Sequence, residues 1–109
     1  MVTTRKQALD VAGLIKVELE RIYGPRLRGV YLYGSAARDQ LNEDSDIDIA
    51  IVLDNIPDRF AEHERISELG SQVSLDYKIL VSFFLASDSD FDFGRCAIHR
   101  AIKEEGIKA

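Results

Sequence analysis

The sequence predicts an α/β (α+β) fold in which a small mixed β-sheet is flanked by helices. Apolar residues recur at helical spacing near the N-terminus, three later segments are rich in β-branched and aromatic residues, and charged helical segments separate them. The 109 residues, 46% apolar and 30% charged, match one compact domain. We therefore expect a single domain over residues 1–109.

The first predicted helix spans Thr3 to Tyr23 and is amphipathic. Its apolar residues fall three or four positions apart: Ala8, Val11, Ala12, Ile15, Leu19 and Ile22. Gly24 and Pro25 end it, because glycine suits a left-handed cap and proline cannot continue the hydrogen-bond ladder. A first strand is predicted from Val30 to Tyr33, where Gly34 breaks it.

The second predicted strand, Asp46 to Leu53, has the sequence D-I-D-I-A-I-V-L. Side chains alternate between the two faces of a strand, so the odd-numbered apolar residues share one face and Asp46 and Asp48 share the other. The segment from Arg59 to Leu69 is predicted to be a second, moderately amphipathic helix that Gly70 closes.

The third predicted strand is Val73 to Leu85, with Asp76 and Lys78 as its charged residues. A last helix is expected from Phe91 to Lys108. The carboxylates before and at its start, Asp88, Asp90 and Asp92, lack the glycine and glutamate of a calcium loop and predict a solvated loop. His63 and His99 are expected on helix surfaces, and Cys96 among packing residues of the last helix.

Charge and composition limit the partners that we expect. The net charge of -5 repels nucleic-acid backbones and anionic membranes, so a phosphate-bearing substrate needs a local positive charge or a bridging cation. No apolar run approaches the roughly 20 residues that cross a bilayer. With one cysteine and no signal-peptide pattern at the N-terminus, we expect a cytoplasmic protein without direct nucleic-acid or membrane binding.

The connection between the first two strands contains the residue types of a phosphate and metal site. A glycine at a strand end allows backbone to approach a ligand, and the hydroxyl of Ser35 and nearby N–H groups can bind phosphate, especially if residues 36–40 form a helical turn. Asp46 and Asp48 lie roughly 6 to 7 Å apart along a strand and can share a Mg²⁺ ion. Taken alone, Gly34 and Ser35 would most often be an ordinary turn.

Asp76 is the candidate third carboxylate, because an acid within an apolar strand is costly to bury without a partner or a metal. If its strand lies beside the Asp46 strand, it could also act as general base toward an incoming hydroxyl. The alternative is a surface ion pair with Lys78.

The pattern G-S-x10-D-x-D, with A-R after the serine and S-D-I-D-I-A-I-V at the second strand, resembles the minimal nucleotidyltransferases of the DNA polymerase β-like superfamily. The small size is similar to that of MNT-type antitoxins, which accompany HEPN-domain ribonuclease toxins. The resemblance extends from Val30 to Gly106 and includes the closing A-I-K-E-E-G.

The resemblance implies transfer of AMP from Mg-ATP to a tyrosine hydroxyl of a cognate HEPN toxin, with release of pyrophosphate. By position, it implies that Gly34 and Ser35 hold the triphosphate and that Asp46, Asp48 and Asp76 bind two Mg²⁺ ions. Arg38 sits where the family often has arginine and could contact phosphate or brace the loop. Two alternatives stay open: an antitoxin that neutralises its partner by binding alone, and a transferase for small molecules.

Overall fold

The computed structural model describes residues 2–42 and 46–109, so residues 43–45 of the sequence motif lie outside the described part. The elements in chain order are α1 (Arg5–Tyr23), a 3-10 turn (Gly24–Arg26), β1 (Leu27–Tyr33), β2 (Ile47–Leu53), α2 (Arg59–Tyr77), β3 (Val81–Ser87), α3 (Asp88–Phe93), α4 (Ala97–Glu105) and β4 (Ile107–Lys108). This confirms the predicted small mixed sheet flanked by helices.

The sheet has four strands in the order β3-β2-β1-β4. β1 pairs antiparallel with β2, from Leu27 opposite Leu53 to Tyr33 opposite Asp48. β2 pairs in parallel with β3, and β4 adds antiparallel to β1. The connection between β1 and β2 therefore lies at the end of the sheet where Tyr33 faces Asp48.

Two layers of helices cover the sheet. α1 and α2 pack on the face that carries Ile47, Ile49, Ile51 and Leu53, as the alternation of β2 predicted. Ala50 and Val52 point to the other face, where they meet Phe91 of α3 and Ile102 of α4. Because side chains alternate along a strand, Asp48 lies on this second face.

The first helix agrees with its prediction. Thr4 caps it by accepting a hydrogen bond from the N–H of Gln7, and Gly24 ends it with φ 57°. Most of the predicted apolar face is buried, with Ala8, Ala12 and Ile15 fully so, whereas Ile22 is 38% exposed.

The predicted third strand was wrong in its first half. α2 continues through Gly70 to Tyr77, and Lys78 ends it in the left-handed conformation. Gly70 does not close the helix. It lies against the ring of Phe83, where an added Cβ would approach Cε2 to 3.0 Å. The β-like composition of residues 73–77 was overridden by packing of Val73 in the helix layer.

The prediction of a single last helix from Phe91 to Lys108 was also wrong. Gly94, with φ 68°, ends α3, and α4 begins after Cys96. Asp88, Asp90 and Asp92 lie within α3 rather than in a loop. His99 is 6% exposed, and its Nδ1 accepts a hydrogen bond from the N–H of Cys96, which is itself exposed. The sequence predicted the opposite environments, with His99 on the helix surface and Cys96 among the packing residues.

None of the helices within residues 2–42 and 46–109 combines the length and the apolar character that crossing a bilayer requires.

Candidate active site

Gly34 begins a helical turn directly after β1. Its φ is 72°, a conformation that favours glycine. The N–H of Arg38 donates to the carbonyl of Gly34 at 3.2 Å, and the N–H of Gln40 donates to that of Ser35 at 2.8 Å. Among the described residues, the N–H groups of Ser35, Ala36 and Ala37 have no protein acceptor. The helical turn expected after Ser35 is therefore present. Ala36 is fully buried and Ala37 is 6% exposed, so the partly exposed Ser35 is the residue whose N–H can reach an anion.

The turn approaches the β2 carboxylate closely. A Cβ placed on Gly34 would lie 2.5 Å from Oδ2 of Asp48, closer than a side chain tolerates. Gly34 is thus needed for two independent reasons, its backbone conformation and the space that the carboxylate occupies. The phosphate-binding type of turn and the acidic strand meet at one place, as the sequence predicted for these two residues.

Asp46 and Asp48 form an unneutralised pair beside this turn. Both are partly exposed, and within the described part of the chain neither carboxylate accepts a hydrogen bond or forms an ion pair. Burial raises the pKa of Asp48, and the negative charge of Asp46 raises it further, while the charge of Arg38 opposes them. Two carboxylates held together, with no ion pair to either in the described part of the chain, suit a cation that arrives with a ligand.

Tyr33 and Ser82 are the register neighbours of Asp48 on the two adjacent strands. Burial and the Asp48 charge raise the pKa of Tyr33 to about 12, so its hydroxyl remains protonated at neutral pH. Register partners share a face of the sheet, which places the Ser82 hydroxyl beside Asp48 on β3. A hydroxyl, rather than a third carboxylate, therefore stands next to the pair on that strand.

The structure does not bring Asp76 to this site. It lies near the end of α2, where its Oδ1 accepts a hydrogen bond from Nε2 of Gln72 at 2.9 Å. It lines a groove of about 640 Å³ between α1 and α2, in the helix layer on the opposite face of the sheet. The strand that was expected to place Asp76 beside Asp46 does not exist at that position, so the predicted adjacency was wrong. Over residues 2–42 and 46–109, no three acidic, histidine or cysteine side chains gather into a metal-binding group.

Arg38 lies at the edge of the acidic pair. Its Nε donates to Oε1 of Gln40 at 3.2 Å, and its Nη1 donates to Oε2 of Glu105 at 3.1 Å. Its charge is close enough to act on the pKa of Asp48. Arg38 is thus the cation that the structure places near the turn and the carboxylates.

The donor set suits Mg²⁺ together with a phosphate-bearing substrate. Magnesium in nucleotide sites is held by one or two carboxylates and completed by substrate phosphates and water. Asp46 and Asp48 supply hard oxygen ligands, and the N–H and hydroxyl groups of Ser35 supply donors for phosphate. A two-carboxylate site fits an ion that binds with its substrate better than a fully protein-coordinated ion.

Three further residues of the site were missed by the sequence analysis. Tyr33 could have been found, because an antiparallel hairpin through Gly34 pairs the residue before the glycine with the carboxylate strand. Ser82 required the true start of β3. Glu105 lies 67 residues from Arg38 and has no local signal that marks it.

Comparison with known proteins agrees with this geometry. The model of the family described as polymerase beta nucleotidyltransferase matches residues 16–100. The chain therefore belongs to the polymerase β nucleotidyltransferase family, and its enzyme class is nucleotidyltransferase. A protein of Methanocaldococcus jannaschii, named as a protein adenylyltransferase, is 32% identical over 76 residues, which cover 70% of this chain and 76% of that protein. A second protein of this name from the same organism is 30% identical over 89 residues, or 81% of this chain and 83% of its own length.

Solved structures share the fold. A nucleotidyltransferase from Sulfolobus solfataricus superposes with a TM-score of 0.66 at 23% identity, covering 95% of this chain and 80% of that one. A chain in a toxin–antitoxin structure with AMP-PNP gives a TM-score of 0.62 at 21% identity, covering 87% and 69%. A chain of a toxin–antitoxin MntA-HpeT variant gives 0.60 at 22% identity, covering 89% and 70%.

Proposed function

We propose that this chain transfers AMP from Mg-ATP to a tyrosine hydroxyl of a HEPN-type partner protein and thereby acts as its antitoxin. The observation that carries the proposal is the close approach of Gly34 to Asp48, which joins an anion-binding turn to an unneutralised carboxylate pair. The names of the two relatives from Methanocaldococcus jannaschii support a protein acceptor. The toxin–antitoxin structures with the same fold support a partner of that kind.

In this proposal each part of the site has a separate task. The N–H and hydroxyl groups of Ser35 bind the triphosphate, and Arg38 neutralises part of its charge. Asp46 and Asp48 hold Mg²⁺, which when bound would offset charge on the phosphates and the leaving pyrophosphate. The acceptor oxygen bonds to the α-phosphorus, the bond from that phosphorus to the bridging oxygen breaks, and pyrophosphate and the hydroxyl proton leave.

The acceptor approaches from the sheet face that carries Tyr33, Asp48 and Ser82. Since Tyr33 stays protonated at neutral pH, it can donate a hydrogen bond to an oxygen of the bound reactants. Ser82 can do the same from β3. This face offers no carboxylate on β3, so the site relies on Asp46 and Asp48 for its metal.

The test uses a HEPN-type protein as the candidate partner, with ATP labelled at the α-phosphate. The wild-type chain is expected to label the partner, and Asp46→Asn with Asp48→Asn is expected to reduce labelling at least about 1,000-fold, the scale of lost electrostatic stabilisation. Asp76→Asn removes a carboxylate of α2 and is expected to retain labelling. Mg²⁺ removal with a chelator should act like the double variant.

Two results would contradict the proposal. If the partner is not labelled by the wild-type chain, no protein acceptor of this kind is used. If the double variant neutralises the partner's toxicity as well as the wild type does, then binding alone is sufficient and the transfer is not the antitoxin activity. If Asp76→Asn loses as much activity as the double variant, then Asp76 is needed for the transfer and belongs to the active site.

A further inference from the structure

Arg38 is held from two directions. Gln40, in the same turn, accepts from its Nε at 3.2 Å, and Glu105, the last residue of α4, accepts from its Nη1 at 3.1 Å. Among the described residues, Nη2 of Arg38 has no protein acceptor. The guanidinium is therefore fixed at two of its nitrogen atoms and free at the third, beside the acidic pair.

The turn that carries Arg38 and the end of α4 that carries Glu105 are each fixed by the fold. Asp39, with φ 57°, accepts a hydrogen bond from the N–H of Arg5 at 2.9 Å and so ties the turn to the start of α1. After Glu105, β4 pairs with β1, with Ile107 opposite Leu32, and the N–H of Ala109 donates to the carbonyl of Val30 at 2.8 Å. The short strand β4 thus holds the end of α4 next to the strand that leads into Gly34.

The Arg38–Glu105 pair is too exposed to be explained by stability. The side chains of Arg38 and Glu105 are 46% and 51% exposed, and exposed ion pairs contribute little to folding stability. An arginine that binds a triphosphate gains from being ordered in advance, because the side-chain entropy is then lost before the ligand arrives. The free Nη2 leaves one edge of the guanidinium available for phosphate.

Resting on the proposed function, we propose that Glu105 is a positioning residue that orders Arg38 for the triphosphate of ATP. A competing possibility is that Glu105 holds Arg38 away from phosphate and inhibits binding. The two ideas predict opposite signs. If Glu105 positions Arg38, then its removal weakens ATP binding; if it competes with phosphate, then its removal strengthens binding.

The experiment compares Glu105→Gln with Glu104→Gln, the exposed neighbour on α4 that forms no ion pair with any described residue. Glu105→Gln is expected to raise KM for ATP by about five- to tenfold with little change in kcat, the scale of the net contribution of one ordinary hydrogen bond. Glu104→Gln is expected to leave KM unchanged. Thermal melting of both variants should match the wild type, which separates positioning from folding.

A double-mutant cycle completes the test. Arg38→Ala raises KM by itself, and adding Glu105→Gln in that background is expected to have no further effect, since Glu105 acts through Arg38. An unchanged or lowered KM in Glu105→Gln, or an additive effect with Arg38→Ala, overturns the inference. If the wild-type chain transfers no AMP, the same four proteins are compared by calorimetric binding of AMP-PNP with Mg²⁺, so the inference is tested even when the proposed activity fails.

Discussion

The two ends of the β1–β2 pair hold acidic side chains in opposite electrostatic states. At the end where Leu27 faces Leu53, Glu62 is 3% exposed and contacts Arg26 at 2.6 Å and Arg65 at 3.0 Å. Burial raises the pKa of Glu62, but the hydrogen bonds from these arginines outweigh it and the pKa is lowered. At the other end, where Tyr33 faces Asp48, burial and the charge of Asp46 raise the pKa of Asp48.

This difference separates a carboxylate that the fold itself stabilises from one that it leaves destabilised. The Glu62 end has its charge neutralised by the protein itself, which also ties α2 to the turn before β1. The Asp48 end keeps two like charges together, a cost that a folded domain avoids unless a ligand offsets it. A carboxylate whose pKa is raised by burial and by a like charge is a candidate for a site that binds a cation with its substrate.

The largest expected effect is that of Gly34→Ala. The added Cβ would meet Oδ2 of Asp48 at 2.5 Å and displace the carboxylate. A displacement of about 1 Å costs on the order of 100-fold in rate, so AMP transfer should fall by at least that factor. Steady-state transfer of labelled AMP measures it.

Gly94→Ala is the matched control for this substitution. Gly94 has φ 68°, close to the 72° of Gly34, but its Cβ would meet only the flexible side chain of Arg100. Both variants should lose about 1 to 2 kcal/mol of stability from the left-handed backbone. Equal losses of activity in the two variants would show that backbone strain, and not the displacement of Asp48, is responsible.

Glu62→Gln should lower the free energy of unfolding by about 2 kcal/mol at pH 7. Breaking a buried ion pair costs about 3 to 5 kcal/mol, and the partial exposure of Arg26 and Arg65, 31% and 51%, reduces that. Because the folded pKa of Glu62 is depressed, its contribution is present at neutral pH and is lost as the pH falls through the folded value. Denaturant unfolding measures both effects.

The exposed Glu64→Gln, on the same helix, should change stability by less than about 0.5 kcal/mol. AMP transfer should be retained by both variants under conditions where they are folded. A Glu62→Gln variant as stable as Glu64→Gln would contradict the assignment of Glu62 as a structural charge.

The features that the sequence predicted well are those encoded by local pattern. The alternation of β2 separated Asp48 from its apolar neighbours, and Gly34 marked both the end of β1 and the turn. These signals arise within a few residues, from side-chain alternation and backbone conformation. They located the turn after Gly34 and the carboxylate strand along the chain, and the role of the turn in phosphate binding stays a prediction.

The features that the sequence mispredicted depend on long-range packing. Residues 73–77 have a β-like composition but are helical, because Gly70 and Val73 pack in the helix layer over the sheet. That shift moved Asp76 out of the site and placed Ser82 beside Asp48. The contact between Arg38 and Glu105 depends on β4 returning to β1, which no local pattern reveals.

The smallest expected effect is the clearest test of the comparison. Neutralising Asp48 should stabilise the fold, whereas neutralising Glu62 should destabilise it. Asp48→Asn should raise the free energy of unfolding at pH 7 by roughly 0.5 kcal/mol, the scale of a like-charge pair on a sheet. The folded pKa of Asp48 is raised, so the folded state takes up protons first as the pH falls. The wild type therefore regains this stability as the pH falls through the folded pKa of Asp48 toward its unfolded pKa, and the advantage of Asp48→Asn disappears there.

Addition of Mg²⁺ with AMP-PNP should stabilise the wild type and leave Asp48→Asn nearly unchanged. An Asp48→Asn variant that is less stable than the wild type at pH 7 without ligand would mean that Asp48 stabilises the fold, and the contrast between the two ends of the sheet would then be lost.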